Sequence, residues 1–318
     1  MRAAIAIGSN STRMLCAEAG PEGLTHCVRG REETRLFLGL TPEGNIAPER
    51  LEATAQAVLR LQRQALSEGA AADIALFATS ACRDAKNGDA LARRIKELTG
   101  LKLQIISGEE EARLAFRAVA GMERRLVMDI GGGSTEFTWG EQGAIALARS
   151  AQMGASRLLR MQPIASMADA EKAMALAENA LRPIADALRA LPPAPMLMGL
   201  GGTCSTAAAM AMGREAHGEE VEGAVVTAEM ARRQLGLLAP MPLAQRRQVP
   251  GLPPSRAEHM PHGLCILLSA LRLCGMDRLT VSGKTNLDGY LLEQAGHADG
   301  MDSIELLFAS GGILCYNT

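Results

Sequence analysis

At 318 residues the chain has room for about two domains, and with 47% hydrophobic and 21% charged residues it has the composition of an ordinary globular protein. A formal net charge of −2 excludes a chain-wide polyanion-binding surface, so any anion site must be local, made from loops and a few Arg. Seven Cys, an odd number with no C-x-x-C pair, read as reduced thiols in the cytoplasm. No apolar run approaches the ~20 residues of a membrane span, and Ala3 to Ile7 is too short for a signal peptide, so no membrane is expected as a partner. Nor is nucleic acid. Aromatics are only 3% of the chain, which leaves 17 Met with Leu and Ala to fill the cores.

Residues 2–40 read as a meander of short strands: a first strand ending in the turn Gly8-Ser9-Asn10-Ser11, a return through Met14 to Glu18, then Thr25 to Val28 and Thr34 to Leu38. Arg29, Arg31 and Arg35 bracket Glu32 and Glu33, a solvated face from which one Arg could reach a phosphate. Pro48 opens a helix with apolar residues at helical spacing to Gly69. Ile74 to Ala78 is a buried strand with Thr79-Ser80-Ala81-Cys82-Arg83-Asp84 at its C-terminal end, where open α/β sheets place ligand groups. Arg83 is thus a candidate phosphate contact, and an Arg83–Asp84 pair is the equal alternative. After a helix from Leu91 to Leu98 and a strand from Leu103 to Ile106, Ser107 and Glu110 form a capping box. The helix dipole also accounts for Glu109 without any chemistry, whereas Glu111, further round, can face a cleft as a base or serve the dipole alone.

Arg125 to Trp139 organises the chain: an apolar strand, the turn Gly131-Gly132-Gly133-Ser134, and a second strand. Three consecutive glycines are entropically costly, and their amides suit a concave nest for phosphate oxygens. Asp129 before the turn and Glu136 after it would repel bound phosphate unless a hard cation such as Mg²⁺ lay between; a tight hairpin with two solvated acids is the alternative. The unit occurs twice, because Ala4 to Thr12 lies on Val127 to Thr135 without a gap, with Ala6 where the second copy has Asp129. Duplicated units this far apart suggest two related domains, each giving a phosphate loop to a shared cleft.

A strand from Ala144 to Ala148, a short helix and a long helix from Ala168 to Leu191 follow, the long helix kinked or split at Pro183. The strand Met196 to Met198 runs into Gly199-Leu200-Gly201-Gly202-Thr203-Cys204, a third glycine turn at a helix N-terminus and so a ready anion site. His259 and His262 with Glu258 read as loop residues before a helix from Leu264 to Cys274, not as a metal site. Gly283-Lys284-Thr285 is not a P-loop, since Arg278 stands where that motif needs glycine. Ser303 to Phe308 is expected to form a closing helix.

The set Ile7 to Ser11, Thr79 to Arg83, Ile106 to Arg113 and Asp129 to Glu136 resembles the exopolyphosphatase/guanosine pentaphosphate phosphohydrolase family over nearly the whole chain. The resemblance implies an α/β, two-domain actin-like ATPase (ribonuclease H-like) fold with a phosphate-binding interdomain cleft. It implies domains of 1–121, joined by a last helix from about 300, and 122–299. By the same resemblance Glu111 is the base and Arg83 a phosphate contact. Gly8, Ser9, Asn10, Ser11, Gly131, Gly132, Gly133, Ser134, Gly201, Gly202 and Thr203 are taken as phosphate-binding, and Asp129 and Glu136 as holding Mg²⁺ or another divalent cation. Polyphosphate or guanosine pentaphosphate is then the expected substrate, and a homodimer the default assembly. Two departures stand out: the family's Asp is Ala6 here, and its Ser-Asp-x-x-x-Arg-Glu-Gly stretch is Ser282 to Gly289 without the Asp or the Arg, leaving Lys284 to supply a charge. Ala6 motivates a second expectation, a weakened member that binds polyphosphate or an alarmone as a sensor. A nucleotide-dependent kinase of the same superfamily is a third.

Overall fold

Two strand pairs set the architecture. β1 (Arg2–Ile7) runs antiparallel to β2 (Thr12–Gly20), and β6 (Arg125–Ile130) runs antiparallel to β7 (Thr135–Glu141). Their registers are the same: Ile7 faces Thr12 as Ile130 faces Thr135, and Ala6 faces Arg13 as Asp129 faces Glu136. Each repeat adds a third meander strand, β3 (Gly23–Glu32) and β8 (Ala144–Ala151), and then a strand parallel to its first, β4 (Ala75–Ala78) and β9 (Leu197–Leu200). The first sheet is completed by β5 (Gln104–Ile105) in the order β3-β2-β1-β4-β5. The second, completed by β10 (Val225–Thr227) and β11 (Arg278–Val281), runs β8-β7-β6-β9-β11-β10. The internal repeat of the sequence is therefore a repeat of topology, and the fold is the two-domain actin-like one. The computed structural model describes residues 1–20, 23–71 and 74–298.

Alternation along β1 decides what covers each face of the first sheet. Ile5 and Ile7 pack with Met14 and Cys16 against α1 (Pro48–Ser67) and α3 (Gly88–Thr99), which bring Val58, Leu61, Leu91 and Ile95. On the other face Ala4, Ala6 and Ala17 are small, and the space goes to Leu287 and Leu291 of α11 (Asn286–Ala298) and Leu114 of α4 (Gly108–Val119). The other side of α4 carries Ala115, Phe116 and Val119 onto Val127, Met198 and Leu200 of the second sheet. One helix thus touches both sheets. The far face of the second sheet lies under α5 (Ala155–Met161), α6 (Met167–Leu188), α7 (Gly201–Met212), α8 (Ala228–Leu238) and α10 (Met260–Leu273).

Three expectations change. Residues 34–38 form a turn, not a strand, because their amides bind the first glycine turn, Arg35 N to Asn10 O and Phe37 N to Ser9 O, both at 2.9 Å. Pro183 sits inside α6 without dividing it. The chain returns to the first sheet with α11, from Asn286, where no helix is expected; the closing helix expected at Ser303 to Phe308 lies outside the described residues. At the α4–α11 crossing a Cβ on Gly289 would stand 1.9 Å from the Leu114 carbonyl oxygen. Backbone cannot swing aside as a side chain does, so Gly289→Ala is expected to destabilise the protein by about 1–3 kcal/mol, read as a lower urea midpoint at unchanged slope.

Candidate active site

Each repeat closes its turn with one amide, Gly8 N to Ser11 O and Gly131 N to Ser134 O, both 3.0 Å. The intervening carbonyls are all held from behind. Ser9 O and Asn10 O are taken by the 35–37 turn. Gly131 O accepts from Ala155 N at 3.0 Å, Gly132 O from Ser156 N at 2.8 Å, and Gly133 O from Arg157 Nε at 2.7 Å. In a planar trans peptide the N–H opposes the preceding C=O. Pinning these carbonyls therefore turns the amides of Asn10, Ser11, Gly132, Gly133 and Ser134 the opposite way. Those of Asn10, Gly132 and Gly133 donate to no other group among the described residues. The third turn opens α7 with the uncapped Leu200, leaving first-turn amides free, the usual character of an anion-binding helix end. Gly201 has φ +82°, and a Cβ there would lie 2.3 Å from Asp129 Oδ1, so glycine is required on two counts.

All eleven residues of these turns expected to bind phosphate line one cavity of about 500 Å³ between the two sheets. The turns nearly touch: a Cβ on Gly133 would stand 2.4 Å from Ser80 Oγ and 2.7 Å from Ser9 Oγ. Arg157 latches the two sides, donating to Asp84 at 2.5 Å while stacking on Phe37. Asp84 is therefore not the partner of Arg83.

Glu111 enters the cavity from the first turn of α4, where the capping box is made in full: Glu110 N donates to Ser107 Oγ at 3.1 Å and Ser107 N to Glu110 Oε2 at 2.8 Å. Burial pushes its carboxyl up, the Arg83 guanidinium pulls it back, and Asp129 pushes it up again. Arg83 does not line the cavity. Its Nη1 donates to Glu111 Oε2 at 3.0 Å and to Ile106 O at 2.9 Å, which fixes the orientation of the carboxylate. Its Nε and Nη2 are buried without a partner among the described residues.

Asp129 also lines the cavity, its carboxyl raised by burial and partly restored by Arg13. Glu136 does not: it lies behind the other two and accepts from Ser150 Oγ at 2.7 Å. Burial, then Glu111 and Asp129, push it well above the usual carboxylate range. Directly opposed residues share a face of the sheet, but Asp129 is flanked by Leu200 at the third turn and Glu136 by Ser150 of β8, one strand further from the cavity. Of the buried carboxylates, Glu111 and Asp129, not the expected pair, line the cavity, and the exposed Glu215 lies at its edge. No three His, Cys, Asp or Glu among the described residues are grouped to hold a metal ion. A group whose folded pKa is raised costs stability only as pH climbs through its unfolded value and beyond. Glu136→Gln is accordingly expected to raise the melting temperature at pH 7–8 and to lose that gain near pH 4.

The cation wall of the cavity is only half legible in the sequence, which marks Arg29 and Arg31 but not Arg13 or Arg256. Arg13, Arg29, Arg31 and Arg256 all line it. Arg29 is neutralised by Asp288 through two hydrogen bonds of 3.0 and 2.6 Å, and Arg31 Nε donates to Ser11 Oγ at 3.1 Å. Arg256 has no hydrogen-bond or ion-pair partner among the described residues. Burial, with Arg31 and Arg13 adding repulsion, pulls it down to about 9. Its guanidinium occupies the space a side chain on Gly202 would fill, so the pairing of a bare glycine with a distant Arg in a Pro-rich loop could not be read from local pattern. Lys284 is exposed and lines the rim.

A family model described as the Ppx/GppA phosphatase family matches residues 16–297. The chain belongs to the Ppx/GppA phosphatase family. Exopolyphosphatase 2 of Mycobacterium tuberculosis is 33% identical over 324 residues, covering 92% of this chain and 98% of that protein. Among solved structures, the Ppx/GppA family member of Aquifex aeolicus is similar with a TM-score of 0.78 at 25% identity, covering 93% of this chain and 98% of that one. An exopolyphosphatase from Cytophaga hutchinsonii shares the fold at TM-score 0.83 and 23% identity, covering 93% of this chain and 97% of its own. As a member of the Ppx/GppA phosphatases the protein is a phosphate-releasing hydrolase by family. No helix among its described residues is long and apolar enough to cross a membrane.

Proposed function

We propose that the protein removes the terminal phosphoryl group of inorganic polyphosphate, with guanosine pentaphosphate as a second candidate substrate. The observation that carries the reading is the pinning of both turns' carbonyls, which leaves two sets of amides for one phosphoryl group with Glu111 beside them. The amides neutralise charge on the terminal group, and Glu111 takes a proton from water as its oxygen bonds to phosphorus. The bond from phosphorus to the bridging oxygen breaks, and the shortened chain leaves with the electron pair. Arg13, Arg31 and Arg256 give the rest of the chain a cationic track, which a hydroxylated or neutral substrate would not need.

Asp129 suits Mg²⁺, which takes one or two carboxylates and completes its shell with water and substrate phosphate, and this leaves Glu111 to act as the base. That ion would supply charge neutralisation and Lewis acidity at the phosphoryl oxygens. Glu136 would support the site from behind, where a bound cation would favour its ionised form. The test is phosphate release from long-chain polyphosphate and from guanosine pentaphosphate across a Mg²⁺ titration; release from neither at any Mg²⁺ concentration would defeat the proposal.

One observation favours a second reading, a binding protein with weak turnover. Ala6 is buried among Ala4, Leu15, Ile106 and Leu287, so the first-domain wall presents Arg13 without an opposing acid. On that reading Ala6→Asp is expected to raise phosphate release several-fold, and on the hydrolase reading to leave it level or lower it through burial of a carboxylate.

A further inference from the structure

His259 stands at the N-cap position of α10 without a capping hydrogen bond and lines the same cavity, yet it has no place in the chemistry at Glu111. It is only 6% exposed, and neither ring nitrogen has a hydrogen-bond partner among the described residues. With no protein partner, the ring nitrogens of a cavity-lining imidazole take their hydrogen bonds from whatever occupies the cavity. The charged and titratable groups acting on it are Arg256 on its own segment, His262 one turn along α10, and Arg35 and Arg31 from the first domain. Burial and this positive surround hold the ring neutral, down to about 3. Arg256 is itself unpartnered and lies against Gly202 at the N-terminus of α7. Guanidiniums, a helix N-terminus and an open imidazole are mutually unfavourable until an anion joins them.

We infer that His259 is a substrate contact for a phosphate of the chain beyond the terminal one, and that anion binding there draws a proton onto its ring. The inference rests on the polyphosphate reading above. Each phosphate that settles beside Arg256 reverses the local field, so the imidazolium becomes the favoured form and donates a charge-assisted hydrogen bond. The neutral ring of the free protein spares a fourth like charge beside the arginines, and the proton arrives with the ligand.

Titration calorimetry of the Glu111→Gln protein with inorganic tripolyphosphate, at pH 7 in buffers of different ionisation heat, counts the protons taken up. The expected uptake exceeds that of the Glu111→Gln, His259→Asn double variant by up to about one proton per ligand. Affinity should be about threefold to tenfold higher with His259 at pH 6, and the gap should narrow at pH 8. Should the double variant fail to fold, the ring resonances of Glu111→Gln serve: one histidine should move from the neutral to the charged position on adding tripolyphosphate at pH 7. Equal proton uptake and equal affinity, or no histidine shift, would overturn the assignment of His259 and leave the hydrolase proposal standing. No binding of tripolyphosphate or long-chain polyphosphate by either protein would overturn both.

Discussion

Glu111→Gln is expected to lower kcat for phosphate release by about 10²–10⁴ while leaving KM within a few-fold. The carboxamide keeps the shape of the side chain and an acceptor oxygen for Arg83 Nη1, but it cannot take a proton from water. The carboxyl it replaces is raised by burial and by Asp129 against the opposing pull of Arg83. A base raised toward neutrality is better matched to removing a proton at physiological pH than an exposed Glu. The parent rate should fall as pH drops through that raised value, and the residual rate of the variant should lose this dependence. The measurement is initial phosphate release against pH, with thermal melting as the check on folding. A loss of less than threefold would remove Glu111 from the role of base.

Gly133→Ala is expected to cut activity about 10²-fold with little change in melting temperature. The added methyl would stand 2.4 Å from Ser80 Oγ and 2.7 Å from Ser9 Oγ, both on the first-domain side of the cleft. The turn cannot back away, because Gly133 O is held by Arg157 Nε and Arg157 is anchored to Asp84. The accessible relief is a separation of the two domains, which costs few contacts in either core but misplaces the two turns relative to each other. Small-angle scattering should record a larger radius of gyration. Gly236→Ala is the control, a helical glycine with nothing within 4 Å of the added Cβ. Full activity in Gly133→Ala would mean that the turns do not meet around a common phosphoryl group.

The parts of this site that sequence made legible are those in which short-range chemistry repeats. The two turns share a register, Gly8 to Ser11 and Gly131 to Ser134, with glycine first and serine last at the closing hydrogen bond of both copies. The capping box at Ser107 is a three-residue interaction and folds as its spacing dictates. What stayed hidden depends on distance along the chain. Arg83 and Asp84 are neighbours in sequence but take partners 28 and 73 residues away, Glu111 and Arg157. Arg256 reaches Gly202, and α11 fills a face of the first sheet that only its small residues Ala4, Ala6 and Ala17 foretold. Glu136 is expected at a metal because it flanks the glycines, whereas its cross-strand neighbour on β8, Ser150, binds it one strand away from the cavity.

The central claim is that water, aimed by an acid between two glycine turns, attacks a terminal phosphoryl group. Hydrolysis of long-chain polyphosphate in ¹⁸O-enriched water tests it most directly. Each released orthophosphate should carry one solvent oxygen, and the newly exposed chain end none. Label at the chain end, or phosphate passed unlabelled to an added acceptor, would contradict it.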